Sequence, residues 1–184
     1  MVNPNKTESI RILGEVDITE LKKKVLALSS EIWTEQNAAK PNKFGVLDKT
    51  EHIVFRFINS FKDHRFYSDN AIWEDWKGVI APLLEVTAKA YGYQTAEFPR
   101  IMLAKLPAGA SIKPHIDRSP AAQFPHKIHI PLLTNQETLF FLNDKGFNLK
   151  EGVIHEVNNR MNHSVVNKGN SDRIHLIFEV FSTV

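Results

Sequence analysis

The sequence predicts a mainly β domain, a barrel or sandwich of short strands with helices packed on one side. Three observations carry this. Helical periodicity dominates the first hundred residues. From Arg100 onward the pattern switches to short β-branched and aromatic segments separated by turn residues, and eight such segments follow within about 80 residues. The 184 residues fit a single domain, read as 1–184, with a mainly helical part at 1–99 packed on a β core at 100–184.

Asp17-Ile18-Thr19-Glu20 has the spacing of a capping box. Leu21, Val25, Leu28 and Ile32 then recur every three or four residues ahead of Pro41, which predicts a helix over residues 20–38. Residues 52–58 read as a strand. Trp73, Trp76, Ile80, Leu83, Leu84 and Ala88 form a second helical stripe with Gly92 as its stop. Pro82 inside that stripe implies a kink or two shorter helices. The Trp73/Trp76 pair reads as a packing anchor. The β segments are 100–106, 111–117, 126–133, 138–142, 147–149, 153–157, 163–166 and 173–180. Turn residues break them, among them Pro107-Ala108-Gly109, Asn143-Asp144-Lys145-Gly146 and Lys168-Gly169-Asn170.

Composition removes several function classes. With 42% hydrophobic and 24% charged residues the chain is neither disordered nor collagen-like. Lys+Arg 23 against Asp+Glu 21 leaves a net charge of +2, too balanced for an electrostatic nucleic-acid binder, so nucleic acid is not an expected partner. No apolar run approaches the roughly 18 residues of a membrane span, and the first residues lack the apolar core of a signal peptide. The expectation is a cytoplasmic protein with no membrane partner. The absence of cysteine excludes disulfides, thiolate metal sites and cysteine nucleophiles.

The histidines are uneven. Six of the eight, His115, His126, His129, His155, His163 and His175, fall in the last third of the chain or just before it. His115 and Asp117 are two apart at the end of a predicted strand, so imidazole and carboxylate project on one face and can meet one cation. A surface ion pair fits the same spacing. His163 begins a strand further on, and two histidines with one carboxylate make a facial triad, a donor set suited to Fe(II) with open positions. Arg173 follows ten residues after His163. Read as a hairpin around residues 168–170, the segment pairs 165 with 173 and 163 with 175, which puts His163, Val165, Arg173, His175 and Ile177 on one face. An arginine there can clamp a dicarboxylate whose other end reaches the metal. An exposed arginine paired with Asp172 or Glu179 is the alternative, and a one-residue slip of register reverses the face. His126 and His129, three apart, point to opposite faces. His155 and His175 read as structural, and Arg118 as a solvated loop residue.

His-Ile-Asp at 115–117, KIHIPL at 127–132, Lys-Glu-Gly at 150–152 and NHSVVNKGNSDRIHLIFEV at 162–180 together resemble the aspartyl/asparaginyl β-hydroxylase family of Fe(II)- and 2-oxoglutarate-dependent oxygenases, over roughly residues 100–181. The resemblance implies a double-stranded β-helix core, jelly-roll or cupin-like, and a dioxygenase using Fe(II), 2-oxoglutarate and O₂. It implies His115, Asp117 and His163 as iron ligands and Arg173 as the clamp on the distal carboxylate of 2-oxoglutarate. His129 matches the histidine of the family's Arg-x-His strand motif and is implied in the cosubstrate pocket. Lys127 stands where that motif has arginine, keeping the charge and losing the fork. The expected substrate is an aspartyl or asparaginyl side chain in a peptide or protein. The alternatives are a free amino acid such as proline and, in a different class, a non-catalytic cupin-like ligand-binding protein. A nucleic-acid demethylase is disfavoured, because Glu179 stands where those enzymes carry a second arginine.

Overall fold

A computed structural model describes residues 6–183. The first hundred residues supply β1 (Ile10–Glu15), α1 (Thr19–Leu26), α2 (Ser30–Ala39), β2 (Glu51–Ile58), β3 (Tyr67–Asp69), α3 (Trp73–Ala90) and β4 (Ala96–Glu97). Then follow β5 (Ile101–Leu106), β6 (Ser111–His115), α4 (Pro120–Gln123), β7 (His126–Leu133), β8 (Thr138–Leu142) and β9 (Lys145–Phe147). The chain ends with β10 (Val153–Val157), β11 (His163–Asn167) and β12 (Arg173–Ser182). Among the described residues no helix is long and apolar enough to cross a membrane.

Two antiparallel sheets result. The larger runs β1-β10-β7-β12-β5-β2-β3, with β4 beside β12; the smaller runs β6-β11-β8-β9. Strands β5 to β12 alternate between the sheets, with β8 and β9 together in the smaller one. This is the double-stranded β-helix expected of the second half of the chain. The first half is less helical than its periodicity suggests, because β1 and β2 extend the larger sheet on both sides. β1 escapes a sequence reading for a physical reason: Gly14, at φ 144°, interrupts its register, and its pattern of half-buried residues does not alternate.

The packing is a stack of three layers. The outer face of the larger sheet carries Ile53, Phe55, Ile101, Leu103, Ile128, Ile130, Leu132, Leu176 and Phe178, which pack with Leu21, Val25, Trp33, Trp73, Trp76 and Ile80 from the helices. Each such side chain contributes about 1.5–3 kcal/mol by leaving water. A smaller apolar cluster of Leu106, Ile112, Phe140, Leu142, Leu149, Val157 and Val165 fills part of the space between the sheets. The remainder of that space is the cavity described below.

Local chemistry corrects three expectations. The helix expected over 20–38 is two, because Ser29 restarts it by accepting from the Ile32 amide, turning the chain so that Trp33 is buried and Ile32 exposed. Helix α3 runs through Pro82 as one element, not as two shorter helices. The carbonyl that proline leaves without its helical partner belongs to Gly78, which is exposed, so water can satisfy it. The strand expected at 147–149 begins at Lys145, because Asn143, at φ 49°, and Asp144 form a two-residue turn.

The hairpin expected at 163–180 does not form. β11 pairs with β6 and β8, whereas β12 pairs with β5 and β7, so neither has an edge left for the other. Asn167, fully buried, directs the crossing between sheets. Its amide donates to the carbonyls of Leu106, Pro107 and Ser171, and its oxygen accepts from Thr138, Asn135 and the Gly169 amide. At Gly169 a Cβ would lie 2.4 Å from the Asn135 side chain, so only glycine fits without displacement.

Candidate metal centre

His115, the last residue of β6, and His163, the first of β11, are directly paired across the smaller sheet, with ring centroids 4.1 Å apart. Asp117 lies in the loop beyond β6. Its amide donates to the Asn159 carbonyl at 3.0 Å, and its own carbonyl accepts from Gln123 at 2.6 Å. One donor atom from each of His115, Asp117 and His163 falls within 4.8 Å of the others.

The histidines are set up as ligands. Nδ1 of His115 lies 2.8 Å from the Lys113 carbonyl, and Nδ1 of His163 lies 3.0 Å from the Met161 carbonyl. A carbonyl only accepts, so each Nδ1 carries the proton and each Nε2 presents a lone pair. Burial pushes His163 down to about 4, so it is neutral at neutral pH. Asp117 divides its carboxylate: Oδ2 accepts from Lys127 at 2.6 Å and from Asn159 at 3.1 Å, while Oδ1 lies 4.0 Å from His115 Nε2. Burial opposes its ionisation, but the Lys127 ammonium, His163 and these hydrogen bonds outweigh it and hold the carboxyl below its usual range. Two imidazoles and one ionised carboxylate, with no thiolate, suit Fe(II) and similar divalent ions.

The trio opens on a cavity of about 470 Å³ between the two sheets. Arg173, at the start of β12, lines the same cavity and is 1% exposed. Among the described residues it has no ion pair, and its Nε has no hydrogen-bond partner. Burial alone draws its guanidinium down to about 9. Arg173 and His163 therefore face one cavity from opposite sheets instead of sharing a hairpin face. Neither Asp172 nor Glu179 pairs with Arg173. Asp172 accepts from the Ala108 amide, and Glu179 pairs with Arg100.

His129 also lines the cavity, and its Nδ1 lies 3.3 Å from Nδ1 of His175. Burial, followed by the Arg173 charge, holds both well below the usual histidine range. His126 points the other way, onto Glu156 at 2.6 Å and the Tyr93 hydroxyl at 2.9 Å. Buried His155 has no partner for its Nδ1 among the described residues. Arg118 is exposed at the cavity wall and makes no hydrogen bond or ion pair among the described residues. Sequence reasoning singled out Lys127 at a basic motif position but not its contact with Asp117, and it missed Asn159 and the Arg100–Glu179 pair in the cavity wall. For Glu179 a signal existed: it stands six residues after Arg173 in one strand, and even spacing keeps a residue on the same face.

A model of the aspartyl/asparaginyl β-hydroxylase family matches residues 66–183. No curated protein sequence matches the chain. Among solved structures, EvdMO1 superposes with a TM-score of 0.61 at 18% identity, over 96% of this chain and 48% of its own. A viral collagen prolyl hydroxylase from Paramecium Bursaria Chlorella virus-1, in its 2OG complex, gives 0.52 at 10% identity over 96% and 97%. An oxidoreductase of the 2OG-Fe(II) oxygenase family from Burkholderia pseudomallei gives 0.52 at 13% identity over 71% and 65%. The chain thus spans less than two thirds of the length of the first and third of these. At such identities the likeness is one of fold.

Proposed function

The chain belongs to the aspartyl/asparaginyl β-hydroxylase family of Fe(II)- and 2-oxoglutarate-dependent oxygenases, and on that premise we propose that it hydroxylates an aspartyl or asparaginyl side chain in a peptide or protein. His115, Asp117 and His163 would hold the iron. When bound, iron and 2-oxoglutarate supply the oxidising power: one atom of O₂ enters the substrate C–H bond as hydroxyl, and the other enters the succinate formed as 2-oxoglutarate loses CO₂.

The residues of the chain bind, orient and exclude water. The Lys113 and Met161 carbonyls keep the two Nε2 lone pairs turned to one point. Lys127 and Asn159 hold Oδ2 of Asp117 and so leave Oδ1 on the histidine side. Phe140, Ile112 and Val165 keep the floor of the cavity apolar.

Arg173 is the observation that carries the reading. An unpaired guanidinium sealed in protein costs several kcal/mol, and a carboxylate entering the cavity removes that cost by a bidentate contact. A dicarboxylate with one end on Arg173 and the other near the donor trio matches 2-oxoglutarate. His129 belongs to the same pocket. A second reading, a free amino acid such as proline as substrate, is favoured by the buried Arg100–Glu179 pair in the cavity wall.

The test is an anaerobic titration of the metal-free protein with Fe(II) and 2-oxoglutarate, following the weak visible charge-transfer band of the chelate. The band is expected in the unaltered protein and lost in His163→Ala. In Arg173→Ala it should require about a hundredfold more 2-oxoglutarate, the cost of removing one partner of a buried charge pair. A folded protein that gives no band would instead support a ligand-binding role without catalysis.

A further inference from the structure

The cavity wall holds a second charged feature that the metal centre and Arg173 leave unused. Arg100, immediately before β5, and Glu179 on β12 form an ion pair, are 8% and 2% exposed, and both line the cavity. Their backbones are joined as well, the Glu179 amide donating to the Arg100 carbonyl at 3.0 Å. Arg100 uses one Nη on one oxygen of Glu179. The other carboxylate oxygen, the second Nη and Nε make no hydrogen bond among the described residues, and none of them is sealed off as a buried orphan.

The pair also has a defined place. Glu179 lies six residues from Arg173, roughly 20 Å along the strand, so it is remote from the proposed 2-oxoglutarate clamp. Its cross-strand partner is Lys127, whose Nζ holds Asp117. The pair is therefore one strand step from the metal centre. The Arg100 guanidinium lies 5.4 Å from the centre of the Phe57 ring, and Phe57 meets Phe61 edge-on at 6.2 Å.

We propose that this end of the cavity is the substrate site, and that the substrate is a free α-amino acid whose ammonium group meets Glu179 and whose carboxylate meets Arg100. The proposal rests on the oxygenase reading of the same cavity and takes the second of its two substrate readings, the free amino acid, in place of a residue within a peptide. A buried ion pair is often no more stabilising than apolar residues of the same volume, so its presence calls for another use. The pair is neutral overall but offers a free acceptor beside free donors. Its complement is a ligand that is also neutral overall and carries an ammonium group and a carboxylate on one carbon. A residue within a peptide has neutral amides at both places and would leave the charged pair desolvated without charged partners.

The experiment measures succinate formed from 2-oxoglutarate by the Fe(II)-loaded protein in the presence of each of the twenty L-amino acids. The same assay takes the N-acetyl and carboxamide derivatives of any that respond, and aspartyl and asparaginyl peptides. At least one free amino acid should raise turnover by about tenfold or more, and each blocked derivative should lose about a hundredfold in kcat/KM, as sites built for a polar group discriminate against its loss. Glu179→Gln should raise KM for the free amino acid far more than it lowers kcat. The proposal is overturned if peptides drive turnover and free amino acids do not, if blocked derivatives match the parent, or if no amino acid responds in protein that forms the Fe(II)–2-oxoglutarate band. If the band itself is missing, the oxygenase reading fails separately. Calorimetric titration of the metal-free protein with the same amino acids then decides: binding lost on N-acetylation supports the proposal, and no binding removes it.

Discussion

Asp117 shows how much of a candidate metal site lies in residues outside its donor trio. Its position in a loop, past the end of β6, gives it no strand to fix it. Asn159 supplies that restraint twice, through its carbonyl on the Asp117 amide and its side chain on Oδ2, and it also donates to Ala122. Removing a group that orients a ligand in this way costs about 10–100-fold in metal affinity. Asn159→Ala should therefore bind Co(II), used as a visible probe, at least about tenfold more weakly than the unaltered protein. Equal affinities would mean that the backbone contact alone positions Asp117. The trio His115, Asp117 and His163 was legible in the sequence as a possible donor set, because residue types and spacing carry chemical meaning, whereas Arg173 was singled out through a hairpin that does not form and reaches the same cavity from the other sheet. The contacts of Asn159 and Lys127 with Asp117 were not legible, because their nearness to it is created only when β7 and the loop after β10 fold beside it.

Among the elements, the passage from β11 to β12 decides the most. A local reading pairs neighbouring strands, and it failed at residues 163–180 because both edges of each strand were already claimed by partners distant in the chain. Strands β7, β8 and β10 were legible to the residue, since their apolar and β-branched runs end at turn residues. The crossing depends on Asn167. With its side chain gone, the carbonyls of Leu106, Pro107 and Ser171 and the hydroxyl of Thr138 lose a buried partner. Asn167→Ala should lower stability by about 2–3 kcal/mol, whereas Lys168→Ala, on an exposed neighbour, should stay within about 0.5 kcal/mol. Urea midpoints of the two variants check this, and similar values would show that the crossing holds without the asparagine.

On the scale of the whole molecule, the helices seal one face of the larger sheet and leave its other face free to be polar. Three histidines on that inner side, His52, His129 and His175, are buried and have their protonation disfavoured, first by burial; for His52 the value falls to about 3. The unfolded chain takes up these protons below about 6.5 and the folded chain does not, so stability is full above that pH and falls as the pH drops. Together with His163, which burial also draws down, they predict that the metal-free protein is less stable at about pH 5.5 than at about pH 7.5. Urea unfolding across that range tests it; a constant midpoint would mean that the cavity hydrates and protonates them while folded. The division between faces is sharpest along β12. Ile174, Leu176, Phe178 and Val180 turn to the helices, and Arg173, Ile177 and Glu179 to the cavity. Heritable variation is partitioned accordingly: a codon change at 174, 176, 178 or 180 bears on whether the chain folds, and one at 177 or 179 on what the cavity accepts. Selection can thus explore new substrates through one set of codons while the other set is held constant.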